Sequence, residues 1–256
     1  MTRVWTAIAS VWTWLVLGLS LVLLLPAVAI ARLITAPFDR GRYIAGRMFR
    51  WVGVLTSRLN PLWRFRWAGS PPADPRRPYV VVSNHESFAD ILLISLLPWE
   101  MKWLSKVELF RLPVVGWLMT LAGDVPVKRG FGPSAIEAMR LCRVRLADRV
   151  SVMIFPEGTR TTTDEMLPFK DGAFRLAIEA GVPILPLVLT GTRRALPKRG
   201  FVMRRANAVV RVLEPIETDG LSVDDTAQLR DRVRAVIADA RTQLIAGRHA
   251  ERVSAG

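Results

Sequence analysis

The sequence is poor in the residues that build disulfides and metal sites. Its 256 residues include one cysteine, Cys142, and two histidines, His85 and His249. A lone thiol excludes a disulfide scaffold and a zinc site made of cysteines, and two histidines make a multi-histidine metal site remote. Cys142 lies in a helical pattern, where we expect a small buried hydrophobe and not a nucleophile. We therefore expect chemistry that uses no metal and no cofactor.

Acidic residues are scarce relative to basic ones. The 22 Asp and Glu residues face 36 Lys and Arg residues, so the net charge is +14 and the isoelectric point is about 11.3. This imbalance favours polyanionic neighbours: nucleic acid, an anionic membrane surface or a phosphorylated substrate. No DNA- or RNA-binding motif is readable, and the basic residues concentrate beside an apolar segment. We therefore expect an anionic membrane as a partner and no nucleic acid.

The amino-terminal segment has the length and composition of a membrane helix. Residues 4–31 carry no formal charge, and about 20 apolar residues are enough to cross a bilayer. The run is too long, and its start too weakly basic, for a cleaved signal peptide, so we expect it to be retained. Arginines cluster on its carboxyl side, which predicts that everything after residue 32 lies on the cytoplasmic face, as at a bacterial inner membrane. A second interpretation is that Pro26 kinks the helix and makes it dip into one leaflet. The clustered arginines are Arg32, Arg40, Arg42, Arg47, Arg50, Arg58, Arg64 and Arg66.

Residues 43–60 predict a second, basic amphipathic helix. Trp and Arg together suit a helix that lies in the headgroup layer of a membrane. A plainer interpretation is that this helix only packs on the following domain, with its arginines in solvent. The apolar positions at helical spacing are Ile44, Met48, Trp51, Leu55 and Leu59, and the polar positions on other faces include Arg42, Arg50 and Ser57. We predict membrane-anchoring helices over 1–67, an α/β domain over 68–246 and a flexible tail over 247–256.

The middle of the chain alternates strand and helix patterns. Its 51% hydrophobic and 23% charged residues exclude disorder, because enough apolar surface is available to form a core. The alternation predicts an α/β fold, with a mixed, largely parallel sheet flanked by helices, that follows the membrane helix and the amphipathic helix. Strands are predicted over 79–83, 151–155, 184–189 and 208–213, and helices over 89–97, 133–149, 171–180 and 222–246.

The first candidate motif, SNHESFAD over 83–90, directly follows a predicted strand. His85 would lie on the strand-to-helix loop, where α/β proteins place their sites, and Asp90 in the first turn of the next helix. A carboxylate five residues later can accept a hydrogen bond from imidazole Nδ1, which leaves Nε2 as a base. In the alternative interpretation Ser87 caps the helix, Asp90 is an ordinary first-turn acid and His85 fills a turn.

The second candidate motif, FPEGTR over 155–160, also follows a predicted strand. Its Pro and Gly shape a turn where Arg160 and backbone donors can meet an anion. The alternative is a local ion pair between Glu157 and Arg160. Together the two motifs resemble the signature blocks of the glycerolipid acyltransferases, in particular the 1-acylglycerol-3-phosphate acyltransferases. Segments 103–116, 123–129 and 182–187 resemble further parts of that pattern, so the resemblance covers about residues 79–190.

The resemblance implies an acyl transfer on the cytoplasmic face of a membrane. His85, held by Asp90, would take the proton from the free hydroxyl of 1-acylglycerol 3-phosphate as it attacks the thioester of acyl-CoA or acyl carrier protein, giving phosphatidic acid. Another lyso-lipid acceptor, such as a lyso-ornithine lipid or a lyso-glycolipid, is an alternative, as is a non-catalytic protein that binds anionic membranes or nucleic acid. The implied substrate-binding residues are Glu157, Gly158, Thr159, Arg160, Lys106 and Arg129.

Overall fold

One mixed sheet forms the centre of the protein. The computed structural model describes residues 3–253 apart from 162, 164, 198 and 199. Within these residues, seven strands form a sheet in the order β1-β7-β6-β2-β5-β3-β4. Every neighbouring pair is parallel except β6 with β7, which confirms the predicted mixed, largely parallel sheet. The strands are β1 Trp63–Ala68, β2 Val80–Ser83, β3 Met101–Lys106, β4 Val125–Val127, β5 Ser151–Ile154, β6 Ile184–Thr190 and β7 Ala206–Val212.

Helices cover both faces of this sheet. Alternate residues of the central strands point to opposite faces, so Val80 and Val82 contact one helical layer and Val81 contacts the other. The helices are α1 Arg3–Thr35, α2 Tyr43–Leu59, α3 Ala89–Ile94, α4 Val107–Phe110, α5 Val115–Ala122, α6 Gly132–Ala147, α7 Gly172–Ala180, α8 Thr192–Ala195 and α9 Thr226–Val253. The core on the first face includes α6, α7 and α9, and that on the second face includes α3.

The four predicted strands are all present, and three more complete the sheet. The sequence did not predict β1, β3 and β4, because their residues are mostly polar or aromatic, or too few to show a pattern. β1 belongs to the sheet although residues 63–67 fall in the predicted membrane-anchoring part. The last helix continues to Val253, so the predicted tail 247–256 begins inside it and ends outside the described residues. The three-part division of the chain stays a prediction.

The first helix is long and apolar enough to cross a membrane, and it continues through Pro26. Its polar positions nevertheless contact the rest of the chain. Ser10 Oγ accepts the N–H of Met203 at 2.9 Å, and Thr13 Oγ1 accepts from the Asn60 amide at 2.8 Å. Near its other end, Val28 packs on α2 and α5. Both ends of α1 therefore lie against the same folded body, while its outer side exposes apolar residues.

The second helix does not pack its apolar stripe on the domain, as the plainer interpretation would require. Ile44, Trp51 and Leu59 are among the exposed large hydrophobic residues of the chain. The face against the sheet is built from small and polar residues, and a Cβ at Gly46 would lie 2.1 Å from Glu100 Oε1. Arg50, expected in solvent or in the headgroup layer, is buried there at 6% exposure. The small residues let the helix approach closely, so its apolar stripe faces outward beside that of α1.

Candidate active site

The candidate residues meet at one edge of the sheet. Strands β2, β5, β3 and β4 are adjacent and parallel, so their carboxyl ends lie side by side, about 4.8 Å apart from one strand to the next. His85 follows β2, and the FPEGTR segment follows β5. Lys106 ends β3, and Arg129 comes two residues after β4. The topology thus aligns a histidine and three groups of basic or polar residues along a single edge.

Asp90 and His85 make the hydrogen bond that their spacing predicts. Asp90 Oδ2 lies 2.8 Å from His85 Nδ1 and also accepts the backbone N–H groups of Glu86 at 2.7 Å and Ser87 at 2.9 Å. The same oxygen thus closes the turn before α3, whose N-cap position is Phe88 and not Ser87. Asp90 is fully buried and His85 is 8% exposed. This arrangement directs Nδ1 to the carboxylate and leaves Nε2 as the nitrogen for a substrate.

The first residue of the FPEGTR segment fixes the plane of the imidazole. The rings of His85 and Phe155 stack with centroids 3.9 Å apart and planes 12° apart. Phe155 in turn contacts Trp103 of β3, with 6.1 Å between ring centroids. In the sequence, Phe155 is marked only as the first residue of a motif. Its position at the end of β5, the strand beside β2, is the signal from which this contact could have been found.

Glu157 holds the histidine loop through the backbone. Its two carboxylate oxygens accept the N–H of His85 at 2.7 Å and the N–H of Leu167 at 2.9 Å. Burial raises the pKa of Glu157, and these two hydrogen bonds oppose that rise. The sequence interpretation assigned this carboxylate to the substrate or to an ion pair with Arg160. The structure places both oxygens on backbone donors. A direct contact with the substrate would therefore have to share one of these oxygens.

The rest of the FPEGTR turn opens toward the exterior. Gly158 has a φ of +70°, and a Cβ there would lie 3.1 Å from Lys170 Cε and Nζ. Only glycine adopts this backbone readily. Thr159 is exposed and Arg160 is half-buried. The tight turn therefore presents Arg160 at the edge of the sheet.

The two further basic candidates lie on neighbouring strands. Lys106 is paired in register with Val127, and Arg129 follows two residues later; both are exposed. The pKa of the Arg129 guanidinium is lowered, first by reduced solvation and then by the positive charge of Arg160, while Glu108 opposes these effects. The attraction of Glu108 thus outweighs the repulsion from Arg160 at this guanidinium. An anion beside the two arginines would also favour their charged forms.

Two residues outside the predicted set also shape the site. The Asn84 amide donates to the Leu189 carbonyl at 3.0 Å and accepts the Leu189 N–H at 2.8 Å, which fastens the histidine loop to β6. Thr161 donates its N–H to the His85 carbonyl at 2.9 Å. Cys142, by contrast, is buried within α6, and burial raises its pKa to about 12. A thiol in that environment is a poor nucleophile.

Comparison with known proteins agrees with the motifs. An acyltransferase family model matches residues 64–190. The mouse 1-acyl-sn-glycerol-3-phosphate acyltransferase alpha is 41% identical over 199 residues, which are 76% of this chain and 70% of that protein. This chain belongs to the 1-acylglycerol-3-phosphate acyltransferase family. The human family member alpha is also 41% identical, over 62% of this chain and 57% of its own length. The chain thus spans less than two thirds of that relative.

A solved structure of the family has the same fold. The crystal structure of the 1-acyl-sn-glycerophosphate acyltransferase PlsC from Thermotoga maritima superposes with a TM-score of 0.79 at 25% sequence identity. The match covers 96% of this chain and 98% of the other. It therefore includes the amino-terminal helices as well as the sheet, and the arrangement of α1 and α2 on the domain belongs to the shared fold.

Proposed function

We propose that this family member is a membrane-bound 1-acylglycerol-3-phosphate acyltransferase. It transfers a fatty acyl group from acyl-CoA or acyl carrier protein to the free hydroxyl of 1-acylglycerol 3-phosphate, and the product is phosphatidic acid. The observation that carries this proposal is the 2.8 Å bond between His85 Nδ1 and Asp90, at the same sheet edge as Arg160 and Arg129. A base and a pair of cations at one edge suit an acceptor that carries both a hydroxyl and a phosphate.

In this proposal His85 is a general base. Its Nε2 takes the proton of the acceptor hydroxyl as the oxygen attacks the thioester carbonyl, and the new carbon–oxygen bond replaces the carbon–sulfur bond. The imidazolium then returns the proton to the departing thiolate. Asp90 supports the positive charge that develops on the ring, and the stacked Phe155 keeps the ring in one plane. General-base assistance of this kind contributes roughly 10²- to 10⁴-fold in rate.

The phosphate of the acceptor would lie with the cations beyond β5, β3 and β4. Arg160 is the main candidate, because a guanidinium can donate two parallel hydrogen bonds to phosphate oxygens. The positive charges of Arg129 and Arg160 attract an anion, and the nearby Glu108 offsets part of that attraction. Lys106 adds a third positive charge on the strand between. Gly158 supports this site by its turn, and Thr159 exposes its hydroxyl at the same turn.

The acyl side of the proposal rests on an apolar cavity behind the site. A cavity of about 140 Å³ lies between the first two helices and the sheet. Most of its lining residues are apolar, and the polar ones are Arg50, Ser95, Ser105 and Asp124. Phe88 and Ile91, just after the histidine loop, contribute to it, and so does Trp103, which contacts the Phe155 that stacks on His85. An acyl chain in this cavity would have its carbonyl end near the imidazole.

We also propose that α1 and α2 lie in one leaflet on the cytoplasmic side. Both ends of α1 contact the same folded body, which favours the dipping alternative over a helix that crosses the bilayer alone. The exposed apolar residues of α1 continue those of α2, and Trp117 of α5 is also exposed, at 56%. Apolar side chains on three neighbouring helices suit insertion to the depth of the acyl-chain boundary.

The decisive test is phosphatidic acid formation by the purified full-length protein in phospholipid vesicles. Acyl-CoA and acyl carrier protein thioester are supplied separately with 1-acylglycerol 3-phosphate. We expect turnover with at least one donor, a loss of 10²-fold or more in His85→Ala, and a higher acceptor KM with an unchanged donor KM in Arg160→Ala. Arg175→Ala, on the exposed surface of α7, is the matched control and should keep full activity.

The other outcomes identify the alternatives. Transfer to a lyso-ornithine lipid or a lyso-glycolipid, with none to 1-acylglycerol 3-phosphate, would change the acceptor and keep the mechanism. Full turnover by His85→Ala would reject the His85–Asp90 pair as the base. No transfer to any of these acceptors from folded protein would reject the enzyme assignment.

A further inference from the structure

The residue after His85 is joined to the last helix of the chain. Arg241 of α9 directs Nε and Nη2 to Glu86 Oε1, at 3.3 and 3.0 Å. The side chains are 12% and 4% exposed, so the ion pair is well shielded from water. The two residues are separated by 155 positions in the sequence.

Glu86 is also bound from a second direction. Its Oε2 lies 3.4 Å from the hydroxyl of Thr192, the first residue of α8, and Thr192 is fully buried. The Glu86 carboxylate thus lies between the end of β6 and the surface of α9. A buried carboxylate of this kind is costly unless a positive charge compensates it. Arg241 supplies that charge.

The backbone of Glu86 reaches the proposed catalytic pair. Its N–H donates to Asp90 Oδ2 at 2.7 Å, and the same oxygen lies 2.8 Å from His85 Nδ1. A displacement of Glu86 would therefore weaken its hydrogen bond to Asp90 and shift the backbone of the adjacent His85. The side chain and the backbone of one residue connect α9 to the atoms that orient the imidazole.

We propose that Arg241 is a positioning residue for the acyl transfer, acting through Glu86 on the His85–Asp90 pair. The proposal rests on the function given above, because it presumes that His85 is the base. Without Arg241 the buried carboxylate loses its counter-charge and turns toward water, and the histidine loop moves with it. Positioning errors of about 1 Å can cost on the order of 10²-fold in rate, so we expect kcat to fall about 10- to 100-fold.

The test compares Arg241→Gln, Glu86→Gln and the double variant in the full-length protein. Each single change should lower kcat and leave both substrate KM values within about twofold. The double variant should be no slower than the slower single variant, because the two residues act through one contact. Arg241→Lys keeps the charge and should retain more activity than Arg241→Gln. Arg230→Gln is the control on the same helix: its ion pair with Asp171 lies elsewhere, and kcat should be unchanged.

Hydrogen exchange provides a readout that does not depend on turnover. The N–H groups of Glu86 and Ser87 both donate to Asp90, so peptides over 84–90 should exchange faster in Arg241→Gln than in the wild type or in Arg230→Gln. Unchanged exchange there, or wild-type kcat in Arg241→Gln, would overturn the proposal. Rate losses that multiply in the double variant would also overturn it, because they would show independent roles. An inactive wild-type protein would reject the proposed function, and the exchange result would still decide whether Arg241 holds the loop.

Discussion

The substitution Glu157→Gln distinguishes a carboxylate that holds the His85 loop from one that binds the acceptor. In the structure its two oxygens accept the N–H groups of His85 and Leu167, and the residue is 4% exposed. Glutamine has one acceptor oxygen and one NH₂ donor. In the variant, one backbone N–H group therefore loses its acceptor and faces another donor.

The size of the effect follows from that lost bond. A hydrogen bond to a charged group contributes about 1.5–3 kcal/mol, and each 1.36 kcal/mol changes a rate tenfold. If the whole loss reached the transition state, kcat would fall about 10- to 150-fold. Asn84 and Thr161 also hold the loop, through Leu189 and the His85 carbonyl. We therefore expect the lower end, about tenfold, with both KM values unchanged.

Stability should respond differently from activity. Burial raises the folded-state pKa of Glu157 above its ordinary value of 4.5, so the ionised form is disfavoured by folding at neutral pH. Glutamine removes that cost, which offsets the lost hydrogen bond, and Tm should change little. A raised pKa contributes stability at low pH that is lost as the pH rises through the folded-state value. As the pH falls through that window, the wild type should therefore gain stability relative to the variant.

The assay is steady-state acyl transfer at neutral pH with each substrate varied in turn. Glu137→Gln is the control, because Glu137 is exposed and pairs only with Arg140 among the ion pairs of the described residues. An acceptor KM that rises tenfold at constant kcat would refute the positioning argument and return Glu157 to the acceptor site. Unchanged kinetics would show that the hydrogen bond to His85 does not matter for turnover.

Two further predictions concern the anchoring helices. Arg50→Ala leaves two buried carboxylates without their arginine, so it should destabilise the protein by about 3–5 kcal/mol and lower Tm by roughly 6–20 °C. The control Arg77→Ala breaks an exposed pair and should cost about 1 kcal/mol or less. Equal effects of the two variants would refute the argument from burial. Single cysteines at Val4 and Arg40, in a Cys142→Ala background, should react with an impermeant maleimide from the same side of sealed vesicles. Labelling from opposite sides would show that α1 crosses the membrane.

The parts of the site that sequence could predict are those with short-range causes. The separation of five residues allows Asp90, in the first turn of α3, to reach back to His85 on the loop, and the bond is present at 2.8 Å. The apolar runs of β2, β5 and β6 likewise predicted buried strands, because the run of adjacent residues is enough to indicate burial on both faces. Parallel strands then place their carboxyl ends together, which brings the FPEGTR segment to the His85 loop.

The parts that sequence could not predict depend on partners far away in the chain. Lys102 lies in the unpredicted strand β3 and is fully buried, because Glu100 and the carbonyl of Arg42 accept from its ammonium. The burial of Arg50 likewise depends on carboxylates that lie 50 and 74 residues away. Hydrophobic periodicity assigns such residues to the surface, since it contains no information about distant counter-charges. It therefore identified the apolar face of α2, which is exposed at Ile44, Trp51 and Leu59, and misplaced Arg50.

The same reasoning separates the two glutamates of the site. The sequence motif marks Glu157 but not the direction in which its oxygens point, and the structure directs them to the backbone of the His85 loop. Glu86 lies inside the other motif, and its partner Arg241 lies on the last helix. The apolar spacing of that helix predicts only that it packs on the domain. Each carboxylate holds the same loop from a different direction: Glu157 accepts the N–H of His85, and Glu86 binds Arg241 of the last helix. The orientation of the imidazole thus depends on contacts at several sequence separations. Only the shortest of them, between His85 and Asp90, could be predicted from the spacing of residues.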